Sequence, residues 1–206
     1  QNFTVSFFIN HNVNGNEYIL DNGYANNTQG YAIYFQTGKQ IYFIARNSTG
    51  ALHFIYTSNP IPTNEWTFVT LTFNVSEARF YFDGVLQDLG KNDTFTGLLP
   101  INSSGKPSIG STQINTLYAE MQLDSFIVYN RTLSDAEIFL MYNTTKKGFI
   151  ETNLSLEIFN NLVSSWQFED YNYIKNNIVG DTDGLMNGNL IGDARYTSNT
   201  TKGNYG

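Results

Sequence analysis

Side chains that could perform acid–base catalysis are few in this sequence. Glu120 and Asp124, in the stretch EMQLDSF, are four residues apart, so on a strand both carboxylates would lie on one face. Two carboxylates on one face are the minimum for hydrolysing a glycosidic bond. His11 and His53 stand in no nucleophile motif, and His53 is predicted to be an ordinary strand residue.

Several oxygen-bearing side chains are of the type that calcium binds. They are Asp21 with Asn22, Asp83 and Asp124. A role in turns and strand ends explains each of them better, because Asp and Asn favour turns beside glycine. The segment 181–189, DTDGLMNGN, lacks the glutamate that completes an EF-hand loop. No cofactor is therefore expected, and calcium is the one metal that these residues could bind.

Ten N-x-[ST] triplets, about twice the number expected by chance, are candidate acceptors of N-linked glycans. None begins between Asn153 and Asn199. Since a glycan cannot sit on a buried strand, this absence is expected for a segment that becomes buried. Since N-glycosylation occurs on secreted proteins, the triplets predict an extracellular or cell-surface protein. The predicted acceptors are Asn2, Asn26, Asn47, Asn74, Asn92, Asn102, Asn130, Asn143, Asn153 and Asn199.

Flat aromatic rings could serve as platforms for sugar rings. Trp66 and Trp166 both stand in apolar strand patterns, so packing in a core explains them better than sugar binding. The 14 tyrosines and 16 phenylalanines are numerous enough to leave exposed rings, but their positions do not follow from the sequence alone.

The composition excludes several classes of partner. The formal net charge is −7 and only 14% of the residues are charged, which leaves too few cations for a nucleic-acid partner. No apolar run is long enough to span a membrane. The absence of cysteine excludes disulfides and thiolate metal sites.

The elements that must position these residues are mostly strands. In NFTVSFFINH, Phe3, Val5, Phe7 and Ile9 lie on one face of a strand, and Thr4, Ser6 and Phe8 lie on the other. Tight hairpins are predicted at Thr37-Gly38 and Asp83-Gly84, and similar strands recur every 8–12 residues, which is typical of a sandwich or jelly roll. One helix is predicted near 134–142, where Ser134 and Glu137 form a capping box.

Seven segments follow one another in an order that identifies a family. FTVSFFI, YILDNG, GYAIYF, EWTFVTLTFN, ARFYFDGVLQ, SIGS and AEMQLDSFIVYNRTLSDAEI together resemble the laminin-G-like, concanavalin A-like jelly roll over about residues 3–142. The resemblance implies an all-β, antiparallel jelly-roll sandwich that binds carbohydrate or protein ligands, sometimes through calcium. Glycoside hydrolases share this fold, but their E-x-D-x-x-E motif is incomplete around Glu120 and Asp124, so we expect no enzyme.

The C-terminal segment resembles the same family in permuted order. LVSSWQFED is similar to the family's first strand, and DGLMNGNLIGDARY to the turn that follows it, although one further family strand has no counterpart. We therefore divide the chain into a jelly-roll body (1–145), a connecting arm (146–161) and a segment that supplies the first strands of the fold (162–206). The residues expected to be buried by that segment are Leu162, Val163, Trp166, Phe168, Leu185 and Leu190.

Three destinations are open to this segment: its own body, the next domain of a tandem array, or a neighbouring copy. In composition and architecture the chain resembles glycosylated surface-filament subunits of archaea, such as threads and pili linked by donated strands. The leading hypothesis is an extracellular, glycosylated structural or adhesion protein that polymerises with copies of itself by strand donation. The alternative is a carbohydrate-binding laminin-G-like module of a larger secreted protein.

Overall fold

A computed structural model describes residues 2–12, 15–24, 30–38, 40–47, 49–74, 76–91, 93–95, 107–112 and 119–145, together with the backbone of four short strands in 162–189. Within these residues, no helix has the length and apolarity needed to cross a membrane. The elements are β1 (Phe3–His11), β2 (Glu17–Asn22), β3 (Tyr31–Phe35), β4 (Ile41–Arg46), β5 (Leu52–Thr57), β6 (Thr67–Asn74), β7 (Glu77–Phe82), β8 (Val85–Leu86), β9 (Leu89–Lys91), β10 (Ser108–Ile109), β11 (Met121–Tyr129), α1 (Asp135–Thr145), β12 (Leu162–Trp166), β13 (Ile174–Lys175), β14 (Ile178–Val179) and β15 (Gly188–Asn189).

Two six-stranded antiparallel sheets form a sandwich. Sheet A has the order β12-β11-β1-β6-β7-β8, and sheet B has the order β10-β2-β3-β4-β5-β9. Strands β13, β14 and β15 form a third, small antiparallel sheet. The prediction of an all-β jelly-roll sandwich with one short helix is confirmed.

The core between the sheets is built by alternation along each strand. Phe3, Val5, Phe7 and Ile9 of β1 point into it, as predicted. Sheet B contributes Ile33, Phe35, Ile41, Phe43 and Ile55, all fully buried. Aromatic pairs across the core, such as Phe7 stacked on Phe126 at 5.4 Å, contribute to its packing.

The outer face of sheet A carries a second apolar cluster, which α1 covers. The cluster consists of Phe8, Phe68, Tyr81, Ile127, Tyr129, Leu133, Ile138 and Met141. Because sheet A is therefore covered on both faces over this area, its strands read as apolar at successive positions rather than as alternating.

Helix α1 begins with the predicted capping box. The Ser134 hydroxyl and backbone N–H donate to Glu137 Oε2, both at 2.8 Å. The helix runs to Thr145, three residues beyond the predicted end at 142. In this added turn, the hydroxyls of Thr144 and Thr145 donate to main-chain carbonyls of residues 140–142.

Both predicted hairpins are present, but only the second is a tight two-residue turn, because β3 ends at Phe35 and β4 begins at Ile41, on either side of Thr37-Gly38. Asp83 and Gly84, between β7 and β8, have φ values of 50° and 78°, the left-handed conformation that a two-residue hairpin requires. Asp83 Oδ1 also accepts a hydrogen bond from Phe68 N at 2.9 Å, which ties the turn to β6.

Strand β12, from the C-terminal segment, pairs with β11 of the same chain at the edge of sheet A. The register places Phe126 opposite Trp166 and Tyr129 opposite Leu162. Of the six residues expected to be buried by this segment, Leu162, Val163 and Trp166 lie in β12, whereas Phe168, Leu185 and Leu190 lie outside the described residues.

Candidate functional site

The outer face of sheet B carries a row of four tyrosines on adjacent strands. The ring centroids of Tyr18 and Tyr34 are 5.3 Å apart, those of Tyr34 and Tyr42 5.2 Å, and those of Tyr42 and Tyr56 4.8 Å. The ring planes are inclined to one another by 18° to 35°. We call this row the tyrosine ladder.

Strand register creates the ladder. Tyr18 pairs with Tyr34, Tyr34 with Tyr42, and Tyr42 with Tyr56. Because each tyrosine alternates with a buried core residue of its own strand, all four project from the outer face. All four are half-buried, in contrast to the aromatic rings between the sheets.

The stacking determines what the ladder offers to a ligand. Side chains stand roughly perpendicular to a sheet, and neighbouring rings share their faces here, so solvent meets ring edges and phenol groups. Ring edges carry a partial positive charge, and phenol oxygens both donate and accept hydrogen bonds. The ladder is thus a strip about 14 Å long, three strand spacings, that alternates apolar edges with hydroxyl groups.

Three of the four ladder hydroxyls, those of Tyr18, Tyr34 and Tyr42, are neutral over the physiological pH range. Burial raises the pKa of the Tyr34 phenol well above its usual range, and neighbouring Tyr24, Tyr18 and Tyr42 add to the rise. Burial is also the main cause that raises the pKa of Tyr18 and of Tyr42. These phenols therefore remain hydrogen-bond donors.

The β2–β3 end of the ladder is extended by Tyr24 and Arg46. The backbone N–H of Tyr24 donates to Asp21 Oδ1 at 2.8 Å, in the turn that follows β2. The guanidinium of Arg46, on β4, lies 4.9 Å from the centroid of the Tyr24 ring.

The β5 end is held by an ion pair. Lys91 Nζ lies 3.3 Å from Asp93 Oδ2 and 3.4 Å from the centre of the Phe54 ring. The Phe54 backbone N–H donates to the same carboxylate oxygen at 3.2 Å. Burial opposes ionisation of Asp93, but these hydrogen bonds and Lys91 outweigh it and lower the pKa of the carboxyl.

A glycine allows β9 to pass close to the ladder. A Cβ atom at Gly90 would overlap the ring of Tyr56. Glycine at this position therefore keeps Tyr56 in line with Tyr42.

A second concave region, with a volume of about 460 Å³, lies on the outer face of sheet A beside the start of α1. Its polar groups are paired with each other: Arg79 donates to both oxygens of Glu77 at 2.8 and 3.1 Å. The Tyr81 hydroxyl donates to Asp135 Oδ1 at 2.8 Å. Because these groups already satisfy one another, we regard the tyrosine ladder as the better candidate site.

The structure separates the two carboxylates that the sequence places on one strand face. Asp124 is 3% exposed and lies within β11 opposite Phe8, and its Oδ1 accepts from Ser125 N at 2.6 Å. Glu120 is exposed, precedes β11, and its backbone N–H donates to Glu17 Oε2 at 2.7 Å.

The candidate calcium ligands do not form a group. Among the described side chains, no three carboxylates or imidazoles come together in a way that could hold a metal ion. Asp21 instead accepts from the turn N–H of Tyr24, and Asp83 from the N–H of Phe68 in β6. These residues do not fit a calcium ion; 181–187 lie outside the described residues.

The two histidines and Trp66 contact other side chains of the fold. His11 is buried and stacks on Phe35 at 4.3 Å, and His53 Nδ1 lies 3.7 Å from Asp93 Oδ1. Trp66 is partly buried against the cluster under α1, which supports core packing rather than sugar binding. The side chain of Trp166 lies outside the described set.

Five of the ten predicted glycan acceptors are described. Asn2 and Asn130 are exposed, whereas Asn47, Asn74 and Asn143 are half-buried. Asn47 Oδ1 accepts from Thr49 N, Thr49 Oγ1 and Ala51 N, so its amide is held in a turn. Asn26, Asn92, Asn102, Asn153 and Asn199 lie outside the described residues.

The tyrosine ladder is not predicted from the sequence alone. The strings YAIYF, IYFIAR and LHFIYT contain the signal, since a tyrosine alternates with core residues in each. The alignment of these tyrosines depends on the register between strands, and a shift of one residue would move every side chain to the opposite face.

Comparisons with known proteins agree with this fold. Residues 1–139 match the family model described as the concanavalin A-like lectin/glucanases superfamily. A proposed carbohydrate-binding protein of Bacteroides ovatus superposes with a TM-score of 0.68 at 14% identity, over 96% of this chain and 56% of its own. The chain thus spans little more than half of that protein.

Two further solved structures share the fold at similar identity. The CBM40 module of the Ruminococcus gnavus IT-sialidase, solved with bound α2,3-sialyllactose, has a TM-score of 0.53 at 17% identity, over 69% of this chain and 83% of the module. The SAP-like pentraxin of Limulus polyphemus has a TM-score of 0.52 at 15% identity, over 68% of this chain and 69% of its own. Curated protein sequences give no match. Because the family model covers well over half of the residues, the chain belongs to the concanavalin A-like lectin/glucanase superfamily.

Proposed function

We propose that this protein is a carbohydrate-binding module and that the tyrosine ladder is its binding surface. The observation that carries the proposal is the alignment of Tyr18, Tyr34, Tyr42 and Tyr56 across four adjacent strands. Two proteins that share the fold support it. The Bacteroides ovatus protein is described as carbohydrate-binding, and the Ruminococcus gnavus module was solved with a bound saccharide.

The chemistry of the ladder suits a saccharide. Sugars present C–H groups and hydroxyl groups side by side, so they need a surface that offers apolar contact and hydrogen bonds at short intervals. The ladder does this at intervals of about 5 Å, close to the strand spacing. Tyrosine contributes this mixed surface with little loss of side-chain entropy, because it has only two rotatable side-chain bonds.

The proposal is one of binding without catalysis. Glu120 and Asp124 are on or near β11 of sheet A, and neither contributes to the ladder on sheet B. We expect no hydrolysis of any saccharide that the protein binds.

A glycan array tests the proposal. Wild-type protein should bind at least one class of saccharide, and Tyr42→Ala should lose most of that signal because Tyr42 contacts the rings of both neighbours. Phe139→Ser is a matched control, since it removes an aromatic ring that is 55% exposed on α1. Equal loss in both variants, or no saccharide binding by wild-type protein, would refute the assignment.

Strand exchange between copies is a second candidate function, and the edge position of β12 favours it. Its pairing with β11 places a sequence-distant strand at the edge of sheet A, where the same register could be satisfied by β12 of a neighbouring copy. The resulting homopolymer would be a cell-surface filament, consistent with the predicted N-glycosylation and extracellular location. Mass measurement in solution distinguishes β12 pairing within one chain from β12 exchange between copies. Pairing within one chain gives a monomer of 23.3 kDa, whereas exchange gives larger assemblies.

A further inference from the structure

Four Lys and Arg residues have described side chains: Arg46, Arg79, Lys91 and Arg131. Arg46 differs from the other three in its partners. Arg79 pairs with Glu77, Lys91 with Asp93 and Arg131 with Glu137. Within the described part of the chain, no carboxylate lies within ion-pair distance of Arg46.

The guanidinium of Arg46 has hydrogen-bonding capacity to spare. Its Nη1 makes one long contact, 3.5 Å to the Gly50 carbonyl oxygen. Its Nε is shielded from solvent and has no acceptor among the described residues. A guanidinium carries five N–H donors, and donors left without acceptors in a folded protein require an explanation.

Arg46 also lies at the tyrosine ladder. It stacks over Tyr24, and both residues are near enough to Tyr18 to influence its ionisation: Tyr24 raises the pKa of Tyr18 and Arg46 lowers it, after the larger effect of burial. Tyr24 likewise contributes to the raised pKa of Tyr34. The cation is therefore placed beside the phenol groups of the β2–β3 end of the ladder.

We propose that the ligand of the tyrosine ladder is an acidic saccharide, whose carboxylate or sulfate group accepts hydrogen bonds from Arg46. The inference rests on the proposed carbohydrate-binding function. Guanidinium groups bind planar carboxylates and sulfates through two parallel hydrogen bonds, which is stronger and more selective than a contact with a neutral hydroxyl.

Two sources of negative charge, the net charge of the protein and the Asp21 carboxylate, would repel such a ligand. The protein has a formal net charge of −7, but charges farther away than about 8 Å are largely screened at physiological ionic strength. Asp21 lies on the same face and is buried, and its Oδ1 already accepts from Tyr24 N. The affinity of an acidic ligand group for Arg46 therefore depends mainly on the charges close to Arg46.

The experiment uses pairs of ligands that differ only in their acidic groups. Polygalacturonate is compared with its fully methyl-esterified form, and dextran sulfate with dextran, by isothermal titration calorimetry on the full chain. Wild-type protein should prefer at least one acidic partner by about tenfold or more. The carboxylate pair and the sulfate pair tell which acidic group is recognised.

Variants assign the preference to Arg46. Arg46→Gln should reduce it to less than about twofold, and Arg46→Lys, which keeps the charge without the planar fork, should retain part of it. Arg79→Gln is the matched control, since Arg79 is ion-paired on sheet A. Circular dichroism of each variant verifies folding.

The possible results test the preference for acidic ligands separately from carbohydrate binding itself. Equal affinity for acidic and neutral partners, or an acidic preference that survives in folded Arg46→Gln, overturns the inference but leaves carbohydrate binding intact. Failure to bind any saccharide overturns both. The comparison of ligand pairs uses wild-type protein, so it remains decisive even if Arg46→Gln does not fold.

Discussion

At the scale of single residues, the phenol groups of the ladder combine two properties. They are half-buried, which holds their rings in place, and the raised pKa of Tyr18, Tyr34 and Tyr42 keeps those three phenols protonated at physiological pH. A hydroxyl donor fixed in this way loses little conformational freedom when a ligand binds.

The contribution of one hydroxyl can be measured with Tyr34→Phe. The ring stacking remains while one donor is lost, so saccharide affinity should fall by about threefold to tenfold, the effect of a single net hydrogen bond. Tyr81→Phe provides the contrast: it loses the bond to Asp135, so we expect unchanged binding and about 1 kcal/mol less stability. Calorimetry and thermal unfolding give both values, and unchanged affinity in Tyr34→Phe would argue against this hydroxyl as a ligand contact.

The ladder also predicts a simple dependence of binding on pH. The pKa values of Tyr18, Tyr34 and Tyr42 all lie above the ordinary value of 10, so these phenols stay protonated between pH 7 and pH 9. Affinity for a neutral saccharide should stay constant over this interval. A decline that begins below pH 9 would show that another group controls binding.

At the scale of elements, strand register places the site and α1 covers the opposite sheet. The strands and hairpins could be predicted because alternation and turn chemistry are local properties: Phe3 to Ile9 and Asp83-Gly84 appear as expected. The ladder depends on the relative position of four strands, which no local pattern determines. Glu120 and Asp124 do not share a strand face because β11 begins only at Met121, and Glu120 instead lies beside Glu17.

The passage of β9 across the ladder gives an element-scale prediction. Gly90→Ala should displace the Tyr56 ring and weaken saccharide binding by roughly fivefold, about 1 kcal/mol, because one of the four rings leaves the row. Gly15→Ala, where nothing lies within 4 Å of the added methyl group, is the matched control. Titration of both variants checks the difference, and equal affinities would exclude a role for Tyr56.

The capping box of α1 predicts how stability changes in acid. The hydrogen bond from Arg131, together with those from Ser134, lowers the pKa of Glu137 from 4.5 to about 2. Its stabilising effect is therefore fully present above pH 4.5 and is lost as the pH falls towards 2. Glu137→Gln should show a smaller fall in melting temperature over that interval than wild-type protein, as measured by scanning calorimetry. An identical fall in both would mean that other carboxylates dominate acid unfolding.

At the scale of the whole molecule, the C-terminal segment completes an edge of sheet A. Without β12, the outer edge of β11 would expose unpaired N–H and C=O groups beside an apolar core. Deletion of residues 162–206 should therefore lower the melting temperature and cause self-association, as seen by size-exclusion chromatography with light scattering. A truncated chain that stays monomeric, with an unchanged melting temperature, would show that β12 is dispensable.

Tyrosine-selective NMR tests the central proposal, carbohydrate binding on the outer face of sheet B, most directly. Protein labelled with ¹³C in its tyrosine rings is titrated with a saccharide identified on the array. We predict shifts of the Tyr18, Tyr34, Tyr42 and Tyr56 signals and none at Tyr81 or Tyr129, which lie on sheet A. Shifts confined to Tyr81, beside the concave region of sheet A, would contradict the proposal and place the ligand on the opposite face.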